Sequence, residues 1–150
     1  MPTMFNEADR AGILARLDRL TPQTARLWGS LTPAGMVFHL NAQLQNVLGE
    51  LKVEPRKTPG IMKTGFFHWL IMDSPMPWPK SAPTASEYLS DAPGELDANL
   101  AQLRSRLDRV AANGEARAAT LHPAFGPLSG KQMGKLMWKH FNHHLTQFGL

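Results

Sequence analysis

A chain of 150 residues, 43% hydrophobic and 19% charged, has a globular rather than a disordered composition, and its length fits one domain, residues 1–150, able to bury a core without cross-links. It contains no cysteine, which excludes disulfides, thiolate metal sites and a cysteine nucleophile, so any thiol chemistry needs a thiol brought in by a cosubstrate. The net charge of +4 comes from lysines and arginines scattered beside acids, as at Asp9/Arg10 and Asp108/Arg109; with no basic cluster interleaved with aromatics, nucleic acid is not expected as a partner.

Met1 to Arg10 carries acids and no basic stretch leading into a long apolar run, so it does not read as a signal peptide. The longest apolar run, Phe66 to Met72, is too short to span a bilayer and contains His68. The expectation is a cytoplasmic protein with no membrane partner.

Helical period dominates the chain. Asn6 is an N-cap candidate with Asp9 three residues on, and Ile13, Leu14, Leu17 and Leu20 follow as one apolar stripe that ends before Thr21-Pro22. Thr32-Pro33 predicts the start of a second helix, with Met36, Leu40, Leu44, Val47 and Leu48 apolar and Gly49 as its stop. From Glu50 to Ser90 the character changes. Prolines fall at positions 55, 59, 75, 77, 79 and 83, and only Met62 to Met72, rich in aromatics, reads as a short helix. A connection this long is uncommon in a compact fold unless it is functional or crosses over.

Leu96, Leu100, Leu103, Leu107 and Val110 then predict a third main helix, with Asp91 as its cap and Asn113-Gly114 as its end. After a turn-rich segment, His122 to Pro127, a closing helix is predicted from about Ser129 to Phe148. No strand alternation is visible. The expected fold class is all-α, a four-helix bundle with a long crossover connection between helices two and three.

The chemical signal lies in the closing helix. At about 100° per residue, Met133, Met137, His140, His144 and Phe148 share one narrow arc, flanked by Leu136 and Gln147. Lys131, Lys135, Lys139, Asn142 and Thr146 fall on the opposite side, and the stripe of three lysines reads as a solvated face rather than a phosphate site. His140 and His144 thus occupy core-facing positions where leucine is the ordinary choice. Imidazoles four residues apart stack on one helical face and can reach one ion.

A third ligand must come from another helix, and His39, beside Gln43 and Asn46 on the second helix, is the best candidate. Taken alone, a histidine at a core edge is more often simply hydrogen-bonded. Two unpartnered buried imidazoles, however, cost several kcal/mol at about 1–3 kcal/mol each, and a shared metal removes that cost.

The remaining polar residues divide more simply. His143 sits at the margin of the seam and reads as solvent-facing, with a role near the metal or as a base the sharper alternative. Gln147 is a core-edge amide or a donor to a substrate oxygen. These two are the catalytic candidates. His122 reads as a turn-stabilising hydrogen-bond partner, too far along a straight helix to share the ion. His68 reads as packed among Phe66, Phe67 and Trp69, with a lid over the site as its alternative. Trp78, Trp69, Phe66 and Phe67 are candidates to line an apolar pocket.

These residues resemble the DinB-like (YfiT-like) superfamily of small bacterial helical bundles: a histidine in the second helix, within Met36-Val37-Phe38-His39-Leu40, and a closing helix with His140, three residues, His144, two residues and Gln147. The segment from His122 to Leu128, Trp138 and the ending His143 to Gly149 look like an uncharacterised branch of that superfamily, and the likeness runs from about residue 5 to the end.

The resemblance implies a bundle in up-down-down-up order, often dimeric, so a homodimer is an expected partner. It implies zinc, nickel or a similar ion on His39, His140 and His144. It also implies a thiol-dependent isomerase or S-transferase using a low-molecular-weight thiol. Three neutral histidines leave a position open for substrate, which is the catalytic pattern for zinc. The first expectation is therefore a metal-dependent transferase or hydrolase acting on a small molecule. The rival expectation is a non-catalytic binding or structural module, with or without metal. A bundle whose histidines only hydrogen-bond is the third.

Overall fold

A computed structural model of the chain describes residues 1–80, 84–118 and 120–150. The proline at position 83 lies outside the described residues. The molecule is mostly helical, with five α-helices and one two-stranded antiparallel sheet among the described residues.

Helix α1 (Glu7–Leu17) begins where the Asn6 side chain accepts the Asp9 N–H, and it buries Ile13 and Leu17. Helix α2 (Pro33–Val47) begins at Thr32, whose hydroxyl accepts the Gly35 N–H, with Pro33 at the first position. Its apolar stripe goes inward as predicted, but Asn41 and Gln43 are buried too. Asn41 is satisfied by donating to Asn99 O at 2.8 Å and accepting from Arg106 at 3.0 Å.

The connection holds helix α3 (Gly65–Met72), capped by Thr64 and preceded by a 3-10 turn at Gly60–Lys63. Helix α4 (Leu96–Asn113) packs on α2 and buries Leu96, Leu103, Leu107 and Val110. It does not start at Asp91. Gly94 at φ +82° reverses the chain, Glu95 stands at the cap without a side-chain bond, and the Pro93 carbonyl is taken by the Asn99 amide at 2.6 Å.

Helix α5 (Gly130–Gln147) opens with a reciprocal cap in which the Ser129 hydroxyl accepts the Gln132 N–H and the Gln132 side chain accepts the Ser129 N–H. Both α1 and α3 lie against it. A β-carbon at Gly130 would fall 1.6 Å from the Glu115 carbonyl oxygen, so only glycine lets the turn after α4 cross the start of α5.

Two expectations need correction here. A hairpin that sequence alternation did not show is present: β1 (Thr120–His122) pairs with β2 (Gly126–Leu128) in the register Thr120↔Leu128, Leu121↔Pro127, His122↔Gly126. Strands of three residues are too short to display a period. Nor is the lysine face of α5 solvated throughout. Lys131 is exposed, but Lys135 pairs with Asp73, and Lys139 is buried under the exit of α3 with its Nζ donating to the carbonyls of Ile71, Ser74 and Met76 at 2.9, 2.7 and 3.3 Å. On the same side Arg16 of α1 donates to Asn142 Oδ1 at 2.7 Å and to Thr146 Oγ1 at 3.3 Å. No helix among the described residues is long and apolar enough to cross a membrane.

Candidate metal centre

The seam of α5 carries His140 and His144 inward, and α2 carries His39 against them. Ring centroids lie 4.7 Å apart in all three pairs. His39 Nε2 is 2.8 Å from His140 Nε2, which is 3.0 Å from His144 Nε2. His39 and His140 are buried and His144 is half-buried.

What faces the other nitrogen of each ring decides the chemistry. His39 Nδ1 lies 3.2 Å from the Tyr88 carbonyl oxygen, His140 Nδ1 2.7 Å from Gln43 Oε1, and His144 Nδ1 2.9 Å from Gln147 Oε1. All three partners are acceptors, so each ring carries its proton on Nδ1 and donates it outward. The Gln147 amide is itself oriented, because its Nε2 donates to Trp28 O at 2.9 Å.

Behind Trp28, Gly29 has φ +77°, and a β-carbon there would come within 2.3 Å of Gln147 Nε2. A side chain at residue 29 would therefore be strained and would displace the amide that sets the His144 tautomer. Gln43 lies four residues after His39 on the same helical face and reaches the ring that His39 meets.

Three Nε2 lone pairs consequently point at one another with no proton between them. Burial reinforces this by disfavouring the charged form. It lowers His39 to about 4 and His144 to about 3, and it holds His140 well below its ordinary value, helped by the neighbouring imidazoles. Near pH 7 the rings are neutral acceptors. Nitrogens bound to one ion at about 2.0–2.1 Å stand roughly 2.9–3.4 Å apart for bond angles between a right angle and tetrahedral, close to the separations found. His39, His140 and His144 could hold one metal ion.

The chain belongs to the DUF1569 family. The family model, described as a protein of unknown function, matches residues 5–149 and so spans both histidine-bearing helices. No curated protein and no solved structure matches the chain.

Around the triad of this DUF1569 member lies a cavity of about 600 Å³, walled by the three histidines and by residues of the long connection and the hairpin. The connection supplies much of the centre. Its 3-10 turn at Ser86–Tyr88 offers the carbonyl that fixes His39, and Trp78 stacks on His140 at 5.8 Å. Of the four aromatics proposed as pocket lining, Phe67 and Trp78 line the cavity. Phe66 and Trp69 instead stack on each other at the surface, 66% and 54% exposed.

The other histidines divide as follows. His143 is not solvent-facing. It is half-buried between Trp28 and Trp78, with ring centroids at 6.0 and 6.1 Å, in the wall of the cavity and 5.1 Å from His144, and burial lowers its pKa. Gln147 is an orienting partner of His144. His122 is the expected turn residue, its Nδ1 accepting from Ala124 N and Phe125 N at 3.2 and 3.3 Å, and burial lowers it to about 4.

His68 is buried outside the wall of the cavity, where its ring and that of Phe67 both meet Phe125 at 6.2 Å. Its Nε2 donates to Phe125 O at 3.0 Å, tying α3 to the hairpin. The sequence reading missed the role of Gln43, although its i+4 spacing from His39 was a usable signal. It also missed the Tyr88 carbonyl, which no side-chain pattern announces.

Proposed function

We propose that this protein is a divalent-metal-binding enzyme of the DinB-like kind, with zinc or nickel held by His39, His140 and His144 and a small molecule as substrate. The observation that carries this reading is the convergence of three unprotonated Nε2 lone pairs at the wall of a cavity. An ion held only to complete a fold sits in a closed shell, whereas a three-histidine set beside open volume leaves room for a ligand. The helix order, with the long connection before α4, fits the up-down-down-up bundle.

A divalent ion there supplies Lewis acidity to a thiol or an oxygen of the substrate. The chain does the rest. Gln43, Gln147 and the Tyr88 carbonyl hold the three rings in the ligating tautomer, as partners of metal-bound histidines commonly do. Phe67 and Trp78 exclude water from the cavity, and His143 presents an imidazole to it. Thiol S-transfer is the first reaction class to assay and hydrolysis the second. A cytoplasmic location suits a reduced thiol cosubstrate.

The test is metal analysis of the purified protein, followed by conjugation assays with low-molecular-weight thiols and model electrophiles. About one ion per chain, lost in His140→Leu, together with turnover that follows metal content, supports the reading. Metal retained without turnover points to a binding module. A protein that takes up no zinc or nickel sinks the proposal.

A further inference from the structure

The triad cavity has a one-sided charge. Its wall among the described residues contains no aspartate and no glutamate. It does contain two basic side chains, Arg56 and Lys80, from opposite halves of the long connection. Arg56 is half-buried, with its backbone N–H donating to Pro123 O at 2.9 Å at the tip of the hairpin. The Lys80 ammonium lies over the Trp28 ring at 4.6 Å.

Glu87, a carboxylate that feels Arg56, is exposed and not part of the wall. Neutral histidine ligands would leave the full charge of an ion undiminished, adding to the same sign. The rest of the lining is largely hydrocarbon, including Met62, Phe67, Ile71, Trp78, Phe125 and Leu136. Tyr88 is also in the wall. Its hydroxyl is buried without a partner among the described residues and can donate to a ligand. A cavity that offers apolar surface, donors and positive charge, and no negative charge, is complementary to an apolar anion.

We propose that the substrate of this cavity is a small apolar carboxylate, its hydrocarbon body packed against Phe67, Trp78 and Phe125 and its charge answered by Arg56 and Lys80. The inference deepens the reading of the triad cavity as a substrate site and rests on it. A ligand of this kind suits a cavity of the size found.

The test is calorimetric titration of the zinc-loaded protein with 3-phenylpropanoate and 4-methylpentanoate, each beside its uncharged amide. The same titrations are then made on Arg56→Gln/Lys80→Gln and on Arg56→Lys, with zinc content measured on every sample. The acids are expected to bind at least about tenfold tighter than the amides, as a charge-assisted contact implies. In the double glutamine variant the preference should shrink to within about twofold at unchanged zinc content, and in Arg56→Lys it should persist.

Amides that match the acids, or acids that fail to bind, overturn the proposal. So does a preference that survives the double variant, which would show the carboxylate held by the ion alone. A protein that takes up no zinc yet still prefers the acids sinks the metal reading and leaves this one standing. Zinc at full occupancy without any preference does the reverse.

Discussion

Two neighbouring residues of α5, Lys139 and His140, sit in buried polar clusters of opposite make-up. Around Lys139 three backbone carbonyls from the end of α3 close on one ammonium. Around His140 three imidazole nitrogens close on one another. The first cluster brings its own cation, so it is complete as a piece of fold. The second consists of acceptors only, each held in that state by an oxygen behind it, so it could hold one metal ion taken from solution. Burial lowers the ordinary pKa of both kinds of group, yet one is a structural tie and the other a cluster that could hold an ion. What surrounds a buried polar group, not its burial, decides its use.

The largest expected effect separates the two clusters outright. His140→Leu should reduce metal retention by at least about a hundredfold, read by metal analysis after dialysis, because two nitrogens from separate helices make a poor site. Retention equal to wild type would move the ion elsewhere. In the metal-free protein the same change relieves facing lone pairs but strands the buried Gln43 Oε1, so its urea midpoint should change far less than its metal retention.

Lys139→Met should behave in the opposite way. It strands three carbonyls and costs about 2–4 kcal/mol in urea unfolding, while metal stoichiometry stays at the wild-type value. Equal stability in the two proteins would show that the carbonyl cluster contributes nothing.

Much of this contrast was legible in the sequence, and the reason is local. Asn6, Thr32 and Ser129 announce helix starts because a cap is a three-residue event, and each caps as a side chain should. His140 and His144 stand out because a helical face is fixed by spacing alone. Lys139 did not, since a helical wheel says which side a residue takes but not what covers that side. Its cover, the turn after α3, comes from residues more than sixty positions away. Asp91 misled because Gly94, three residues on, bends the chain before a helix can form. The Tyr88 carbonyl was invisible because any residue has one.

A subtler break targets the oxygens that lock the imidazoles. Gln147→Leu removes the acceptor behind His144 Nδ1 and should weaken metal affinity by about 10–100-fold, with little change in the metal-free unfolding curve. Gly29→Ala should do the same to a lesser degree by pushing the amide aside, measured by competition with a chromogenic chelator. An affinity equal to wild type in both would show that the tautomer is set by something else.

The last effect is pH-dependent. His39, His144 and His122 have folded pKa values of about 4, 3 and 4, below the ordinary 6.5. The unfolded chain therefore takes up protons first as pH falls. The stability of the metal-free protein should be full above pH 6.5 and decline steadily as pH drops from there toward 4. Urea midpoints at successive pH values read this directly, and a flat profile between pH 7 and 5 would contradict the burial of these rings.

The indole of Trp78 lies flat against His140, its own N–H tied to Ile71 O at 2.9 Å. That placement gives the protein a built-in optical gauge. Nickel within contact range of an excited indole should dim its emission and zinc should not, so filling of the centre becomes visible without a label. Because Trp78 belongs to the connection rather than to the helices that carry the histidines, the same signal also reports whether that segment stays seated when a ligand enters.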